Sequence, residues 1–425
     1  MNINLVSYSD ISGGAARAAY RLHCNLQTVG HSSRMSVQKK VSDDYSVVGP
    51  VGNVGKLFNL SRSLLGKWVV KLQKSENPII HTVSWYPFAG CGGFNRKLGP
   101  VDIVNLHWIR DIPVIECIAL INKPVVWTLH DMWAFCGAEH YAPDDDQARW
   151  RTGYTDNNRP LSDRGLDIDR WTWERKKRHW PHPLHIITPS SWLGECVSQS
   201  FLMHDWPVHI IPNVLDTEAF KPLNKAFARQ ALNLPQDKKL ILFGALKGSE
   251  DPRKGFDLLQ DALVILGNSG IRELHGVIFG QSKPLKAPEI GFPVQWMGYI
   301  YDEWTLALLY SAADVMVVPS RQENLPQTGT EAQACGCPVV AFNSTGLPDV
   351  VVHKRTGYLA RPFDVKDLAQ GISWVLQDKK KYERLCIAAR ERAVRLWAPE
   401  IVIPQYLDVY QMAIEQYRKI KLQGM

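Results

Sequence analysis

Glu323 and Glu331 stand eight positions apart in RQENLPQTGTEAQACGCPVVAF, directly after the short apolar run ADVMVV. Carboxylates at that spacing can take hydroxyl groups of a polar ligand, provided the chain brings both to one place. Lys254, in SEDPRKGFDLL, offers a compact positive charge just before a glycine, which suits it to neutralising a diphosphate. His130-Asp131 closes the run PVVWTLHDMWAFCG. A histidine there can hydrogen-bond a hydroxyl while a neighbour fixes its ring. Gly13-Gly14 follows the first apolar run in SDISGGAARAAYRL, where backbone without a Cβ lets a ligand approach closely. Taken singly, each of these is as well explained by an ordinary surface or turn role.

The elements that must position them are legible. Ala313–Val318 is short and apolar enough for a buried parallel strand. Pro326 fits the first turn of the following helix, which puts Glu323 in the loop at the strand's carboxyl end and Glu331 about two turns on. In open α/β sheets ligands sit at that end, and the N–H groups of Gln327 and Thr328 form an anion site there. Strand signals recur at Ile3–Val6, Val101–Leu106, Val125–Leu129, His185–Thr188 and Val208–Ile211. A second series runs Lys239–Phe243, His275–Phe279, Val294–Met297, Asp314–Val318 and Pro338–Phe342. Helical patterns alternate with them, the first at Ala15–Thr28, so the expected class is α/β with two doubly wound, Rossmann-like domains. Ile211-Pro212-Asn213 reads as the linker. Further helices are expected at Val365–Leu376, Lys379–Trp397 and Glu400–Lys421. Ala142–Asp169 is polar and turn-rich and reads as a loop or excursion.

The whole Glu323–Glu331 segment resembles the E-x7-E signature of the retaining family-4 glycosyltransferases. The resemblance implies the GT-B fold, two Rossmann-like domains facing a central cleft. The domains would be 1–213 on the acceptor side and 214–397 on the nucleotide-sugar side, with a helix at 398–425 returning to the first. It implies that Glu323 binds donor-sugar hydroxyls, Glu331 the ribose and Lys254 the diphosphate. Asn324, Leu325, Gln327 and Thr328 would line the donor site, and Gly13 and Gly14 would border donor and acceptor. The usual arginine after the strand glycine is missing in Gly244-Ala245-Leu246, so Lys247 and Arg253 are alternatives for the second diphosphate ligand. V-W-T-L-H-D-x-W is similar to a subgroup from bacterial exopolysaccharide clusters, colanic-acid-type transferases among them, in which the histidine contacts the donor sugar. By that resemblance His130, Glu323 and Lys254 are the catalytic candidates, and His107, Asp131 and Trp133 the acceptor-side ones. Several cysteines resembling a metal knuckle follow this phrase in many such enzymes. Here only Cys136 does, and no metal or other cofactor is expected beyond the nucleotide diphosphate sugar as co-substrate. Matches run from Gly13 to Leu359.

Composition narrows the alternatives. A chain of 425 residues, 45% hydrophobic and 21% charged, is an ordinary globular protein with two or three domains. No apolar stretch is long enough to span a membrane. The net charge of +7 suits polyphosphate ligands or an anionic surface. No nucleic-acid motif accompanies it, so nucleic acid is not an expected partner. MNINLVSYSD opens as a strand without signal-peptide regions. With eight irregularly spaced cysteines, the expectation is a cytoplasmic protein with reduced, mostly buried thiols. KLFNLSRSLLGKWVVKLQK places Lys56, Arg62, Lys67, Lys71 and Lys74 among apolar residues. It fits either an amphipathic segment on the inner membrane surface, near a lipid-linked glycan acceptor, or a helix packed on its own domain. Eleven tryptophans precede Asn213, and core packing is their commoner use. The expected function is transfer of a sugar to a glycan acceptor in bacterial surface or exopolysaccharide synthesis. The alternatives are a non-catalytic glycan- or partner-binding scaffold and a GT-B nucleotide-sugar epimerase.

Overall fold

The computed structural model describes the chain except for residues 51, 78, 87–90, 111–113, 247, 249, 272, 285–288 and 424–425. Its contacts divide it into two compact units, Met1–Asn213 with Ile403–Met425, and Val214–Val402.

In the first unit the strands are β1 (Asn2–Ser9), β2 (Ser32–Lys39), β3 (Val47–Val48), β4 (Gln73–Lys74), β5 (Ile103–Leu106), β6 (Val125–Thr128), β7 (Arg164–Gly165), β8 (His185–Thr188) and β9 (Val208–Ile210). Seven of them form a parallel sheet in the order β3-β2-β1-β5-β6-β8-β9, while β4 and β7 make a separate antiparallel pair. β5, β6 and β8 are buried along their whole length, as expected of strands covered on both faces. The core joins their apolar residues to Trp127, Trp133, Trp150, Trp173, Trp180 and Trp206. Most of the large aromatic content is therefore spent on packing. The end of the chain belongs to the same unit: Asn105 Nδ2 donates to the Tyr410 hydroxyl at 2.8 Å.

The second unit holds β10 (Lys239–Gly244), β11 (Leu274–Phe279), β12 (Val294–Gly298), β13 (Val315–Val318), β14 (Val339–Phe342) and β15 (Gly357–Ala360). Its six-stranded sheet is also parallel, in the order β12-β11-β10-β13-β14-β15. β13 and β14, both interior strands, are buried throughout. Asp314 enters β13 as a buried carboxylate, held by Lys225 at 2.9 Å and Arg229 at 2.8 Å. Its Oδ2 also accepts the Leu240 N–H.

Several expectations are corrected. Pro326 is the N-cap and Gln327 the first residue of the helix Gln327–Ala334, so Glu331 lies just over one turn in. Ala142–Asp169 is mostly loop, as expected, but it is anchored by the helical turn Arg149–Thr152, whose Trp150 is fully buried. Cys91 and Cys117 are not free thiols but a disulfide, because the helices Cys91–Leu98 and Ile115–Ile118 bring their Cα atoms to 5.0 Å. The other six cysteines are free. The segment around Arg62 and Lys67 is a helix, Gly52–Val70. Leu60, Leu64 and Trp68 are exposed along one stripe of it, whereas Arg62 is buried. Among the described residues no helix is long and apolar enough to cross a membrane.

Candidate functional site

Two clusters of polar side chains sit at the carboxyl ends of parallel strands, one in each unit. In the second unit, β10 leads to a short 3-10 turn, Pro252–Lys254, capped by the Asp251 carboxylate on the Arg253 N–H. Gly255 follows with φ +65°, and a Cβ there would meet the carbonyl oxygen of Pro319 at 2.0 Å. The K-G pair thus reflects a close approach between two loops, which Arg321 N–H to Arg253 carbonyl also ties at 2.8 Å.

That approach delivers Lys254 to Glu323. Its ammonium donates to Glu323 Oε1 at 2.5 Å, and the Ser320 hydroxyl donates to the same oxygen at 3.1 Å. Arg253 stands 3.9 Å from Oε2 and donates to the Gln322 carbonyl. Burial pushes the Glu323 carboxyl up, but the charges of Lys254 and Arg253 and the two side-chain hydrogen bonds outweigh it, leaving it below its usual range. Glu323 is therefore an ionised, oriented acceptor. The Thr345 hydroxyl accepts its N–H, and its carbonyl accepts from the Gly346 N–H. Glu331 is buried, with Oε2 accepting from the Tyr310 hydroxyl at 2.8 Å. Asn324 and Leu325 are buried beside Glu323, while Gln327 and Thr328 head their helix partly exposed. Lys247 lies outside the described residues. Of the two alternatives for a second cation, Arg253 is beside the carboxylate.

In the first unit, the loops after β1, β5 and β6 supply the candidates. Gly13 has φ +100° and caps the helix Gly14–Thr28, and no atom lies within 4 Å of a Cβ built on either glycine. His107 and His130 follow neighbouring strands, and His107 Nδ1 lies 3.0 Å from His130 Nε2. Burial holds both imidazoles below their usual range, His130 at about 4, against a smaller opposing pull from Asp131 on His130. Both are neutral near pH 7.

Asp131 does not orient His130, as the sequence suggested. Its Oδ2 lies 2.6 Å from His140 Nδ1 and accepts from Trp108 Nε1 at 2.7 Å. Burial raises the Asp131 carboxyl, and His140 with its other donors more than reverses that. Trp133 is corrected too. It is core, donating to the Thr82 carbonyl, and the ammonium of Lys176 lies 3.8 Å from its ring centroid. Lys176 is fully buried and donates to the carbonyls of Trp133, Cys136 and Gly137. Burial pulls its amine down to about 7, and its three hydrogen bonds gather the loop after His130. Among the described residues no group of histidine, cysteine and acidic side chains is arranged to hold a metal.

Sequence reasoning missed Ser320, Tyr310, Thr345, His140 and Lys176. It also missed Asp10, which is buried after β1 and accepts the N–H groups of Val41 and Ser42. Polar residues just beyond an apolar strand were the signal for Asp10 and Ser320. The others lie far along the chain from what they contact.

Residues 224–392 match the family model described as glycosyl transferases group 1. A D-inositol 3-phosphate glycosyltransferase of Jonesia denitrificans is 32% identical over 315 residues, 70% of this chain and 69% of that protein. Its counterpart in Nocardioides sp. is 30% identical over 236 residues, 50% of each chain. The chain spans about half the length of the first such curated relatives. Among solved structures, sucrose-phosphate synthase from Thermosynechococcus elongatus superposes with TM-score 0.68 at 20% identity, over 98% of this chain and 99% of that one. Anabaena HepE, solved with UDP-glucose, gives TM-score 0.63 at 15% identity over 99% and 100%. These two likenesses show the shared fold, two Rossmann-like units of the GT-B type.

Proposed function

The chain belongs to the group 1 glycosyltransferases, and on that premise we propose that it moves a hexose-type residue from a nucleotide diphosphate sugar to an acceptor hydroxyl, with retention at the anomeric carbon. One observation carries this reading: an ionised Glu323 clamped between Lys254, Arg253 and Ser320 at the carboxyl ends of β10 and β13. Lys254 and Arg253 are partly exposed and can share their charge with a diphosphate. Glu323 takes donor-sugar hydroxyls, and Glu331, steadied by Tyr310, takes the ribose. As the bond from the anomeric carbon to phosphate breaks, negative charge grows on the departing diphosphate, and the fixed cations favour that state over the ground state. The acceptor oxygen bonds to the same face of that carbon, and its proton passes to the leaving phosphate oxygen. No protein base is needed. In the first unit, His130 offers a hydrogen bond to a sugar hydroxyl.

UDP-sugars head the donors to be tried, since HepE was solved with UDP-glucose. For the acceptor we favour a lipid-linked glycan of bacterial surface or exopolysaccharide synthesis. The exposed Leu60, Leu64 and Trp68 beside Lys67, Lys71 and Lys74 form an apolar stripe with matching positive charge for an anionic membrane. The names of the curated relatives favour a second acceptor, an inositol phosphate.

The test is a thermal-shift panel of UDP, GDP, ADP and CMP, followed by transfer assays with both acceptors. A nucleotide at 100 times its dissociation constant adds about 2.7 kcal/mol of stability. One nucleoside diphosphate standing out, with Glu323→Ala abolishing transfer, supports the reading. A flat panel, or wild-type turnover in Glu323→Ala, overturns it.

A further inference from the structure

We propose that His107 is a positioning residue that fixes the tautomer of His130, so that His130 presents an N–H donor to its ligand. Two neutral imidazoles joined by one hydrogen bond hold a single shared proton. Either His107 Nδ1–H donates to His130 Nε2, or His130 Nε2–H donates to His107 Nδ1. The choice is decided at the far side of His107. That residue is only 2% exposed, and its Nε2 has no hydrogen-bond partner among the described residues.

If His130 were the donor, neutral His107 would have to carry its own proton on that buried Nε2, leaving an N–H with nothing to receive it. In the opposite arrangement Nε2 is a bare lone pair. An orphaned buried N–H is the rarer and costlier of the two. His107 is therefore the Nδ1–H tautomer, and His130 accepts at Nε2 and carries its proton on Nδ1. No described residue takes that Nδ1 proton, and the His130 ring is partly exposed. It is free to donate to an oxygen from outside.

The backbone leaves His107 little freedom to do otherwise. Its N–H donates to the Val6 carbonyl at 2.9 Å, and its carbonyl accepts from Trp127 Nε1 at 3.2 Å. The two rings lie nearly parallel, 23° apart with centroids 5.3 Å from each other. Such outer hydrogen bonds commonly orient and tune a functional histidine. That His130 donates to a sugar hydroxyl rests on the proposed function. The tautomer does not.

The experiment is nitrogen-15 NMR of histidine-labelled full chain at pH 7.5, with His130 assigned by loss of its signals in His130→Gln. We expect His130 to show a protonated Nδ1 and an unprotonated Nε2. A His130 protonated on Nε2 overturns the proposal, whether or not transferase activity has been found. Kinetics give a second reading on active enzyme. In His107→Asn the side-chain amide can still donate to His130, and turnover should stay within about 3-fold. His107→Leu cannot donate and should lose about 10-fold to 100-fold in kcat with little change in donor KM. Equal loss in both variants, or none in His107→Leu, also overturns it.

Discussion

Replacing Lys254 by methionine removes the ammonium from Glu323 while keeping most of the side chain's bulk. What remains is a carboxylate on a side chain 9% exposed, with a hydroxyl at 3.1 Å and a guanidinium at 3.9 Å. Stripping one partner from a fully buried ion pair costs about 3–5 kcal/mol. Lys254 is itself 22% exposed and Arg253 remains nearby, so we expect about 2 kcal/mol, roughly 30-fold in the unfolding equilibrium. The sign with pH follows from Glu323. Its folded carboxyl lies below the unfolded value, so its stabilisation is present above pH 4.5 and is lost as pH falls through the folded value. The gap between wild type and Lys254→Met should therefore be full at pH 7 and shrink below pH 4.5. Adding Glu323→Gln to Lys254→Met removes the stranded charge and should recover at least half of the loss. Urea unfolding of the four proteins in this cycle, at pH 7 and pH 4, reads all of this. If Lys254→Met unfolds with wild type at pH 7, or the double variant recovers nothing, the ion pair does not hold Glu323 in the way described.

Gly255→Ala puts a Cβ at 2.0 Å from the Pro319 carbonyl at φ +65°; the left-handed backbone alone costs about 1–2 kcal/mol, and the forced loop shift should lower the melting temperature and slow transfer more than any exposed-glycine control such as Gly270→Ala. His107 and His130 stay neutral when folded but protonate in the unfolded chain below pH 6.5. Stability should therefore fall between pH 6.5 and 4, by about 2 kcal/mol at pH 5 from His130 alone, a drop that His130→Gln should lessen in unfolding titrations. Exchanging Lys67, Lys71 and Lys74 for serine should weaken pelleting with anionic vesicles by roughly 100-fold, at about 1 kcal/mol per lysine, and unchanged pelleting would remove the membrane reading.

The strands most plainly disclosed by the sequence were those buried on both faces, though the half-buried edge strands β9 and β12 were read as well. VMVV and VVAF are continuous apolar runs, and such a run in a doubly wound pattern has few other uses. β2 escaped notice because SSRMSVQK alternates buried and half-exposed residues without an apolar run. β15, no shorter than β13 or β14, was hidden by its sequence: GYLA opens on a glycine and has no β-branched residue. At the site, Lys254 and Glu323 were legible as types at strand ends, and their contact follows from the order of β10 beside β13. The His107–His130 bond was not. Two strand-end histidines 23 residues apart meet only because β5 and β6 are neighbours, a fact of topology that no local pattern carries. Asp131 misled for the converse reason: adjacency in sequence placed it next to His130, while its loop turned the carboxylate to His140.

Tyr410 meets Asn105 across 305 residues of chain, and this sets an order of events at the ribosome. At 5–20 residues per second, roughly 15 to 60 s separate the synthesis of the two partners. The second unit is one continuous stretch, Val214–Val402, and can close as soon as it emerges. The unit translated first must wait for Ile403–Met425 before its helix can cover the buried amide of Asn105. Nascent chains should therefore show protease resistance in the later-made unit before the earlier one. A stop codon near residue 402 would leave the first half of the protein, not the last, without its final piece.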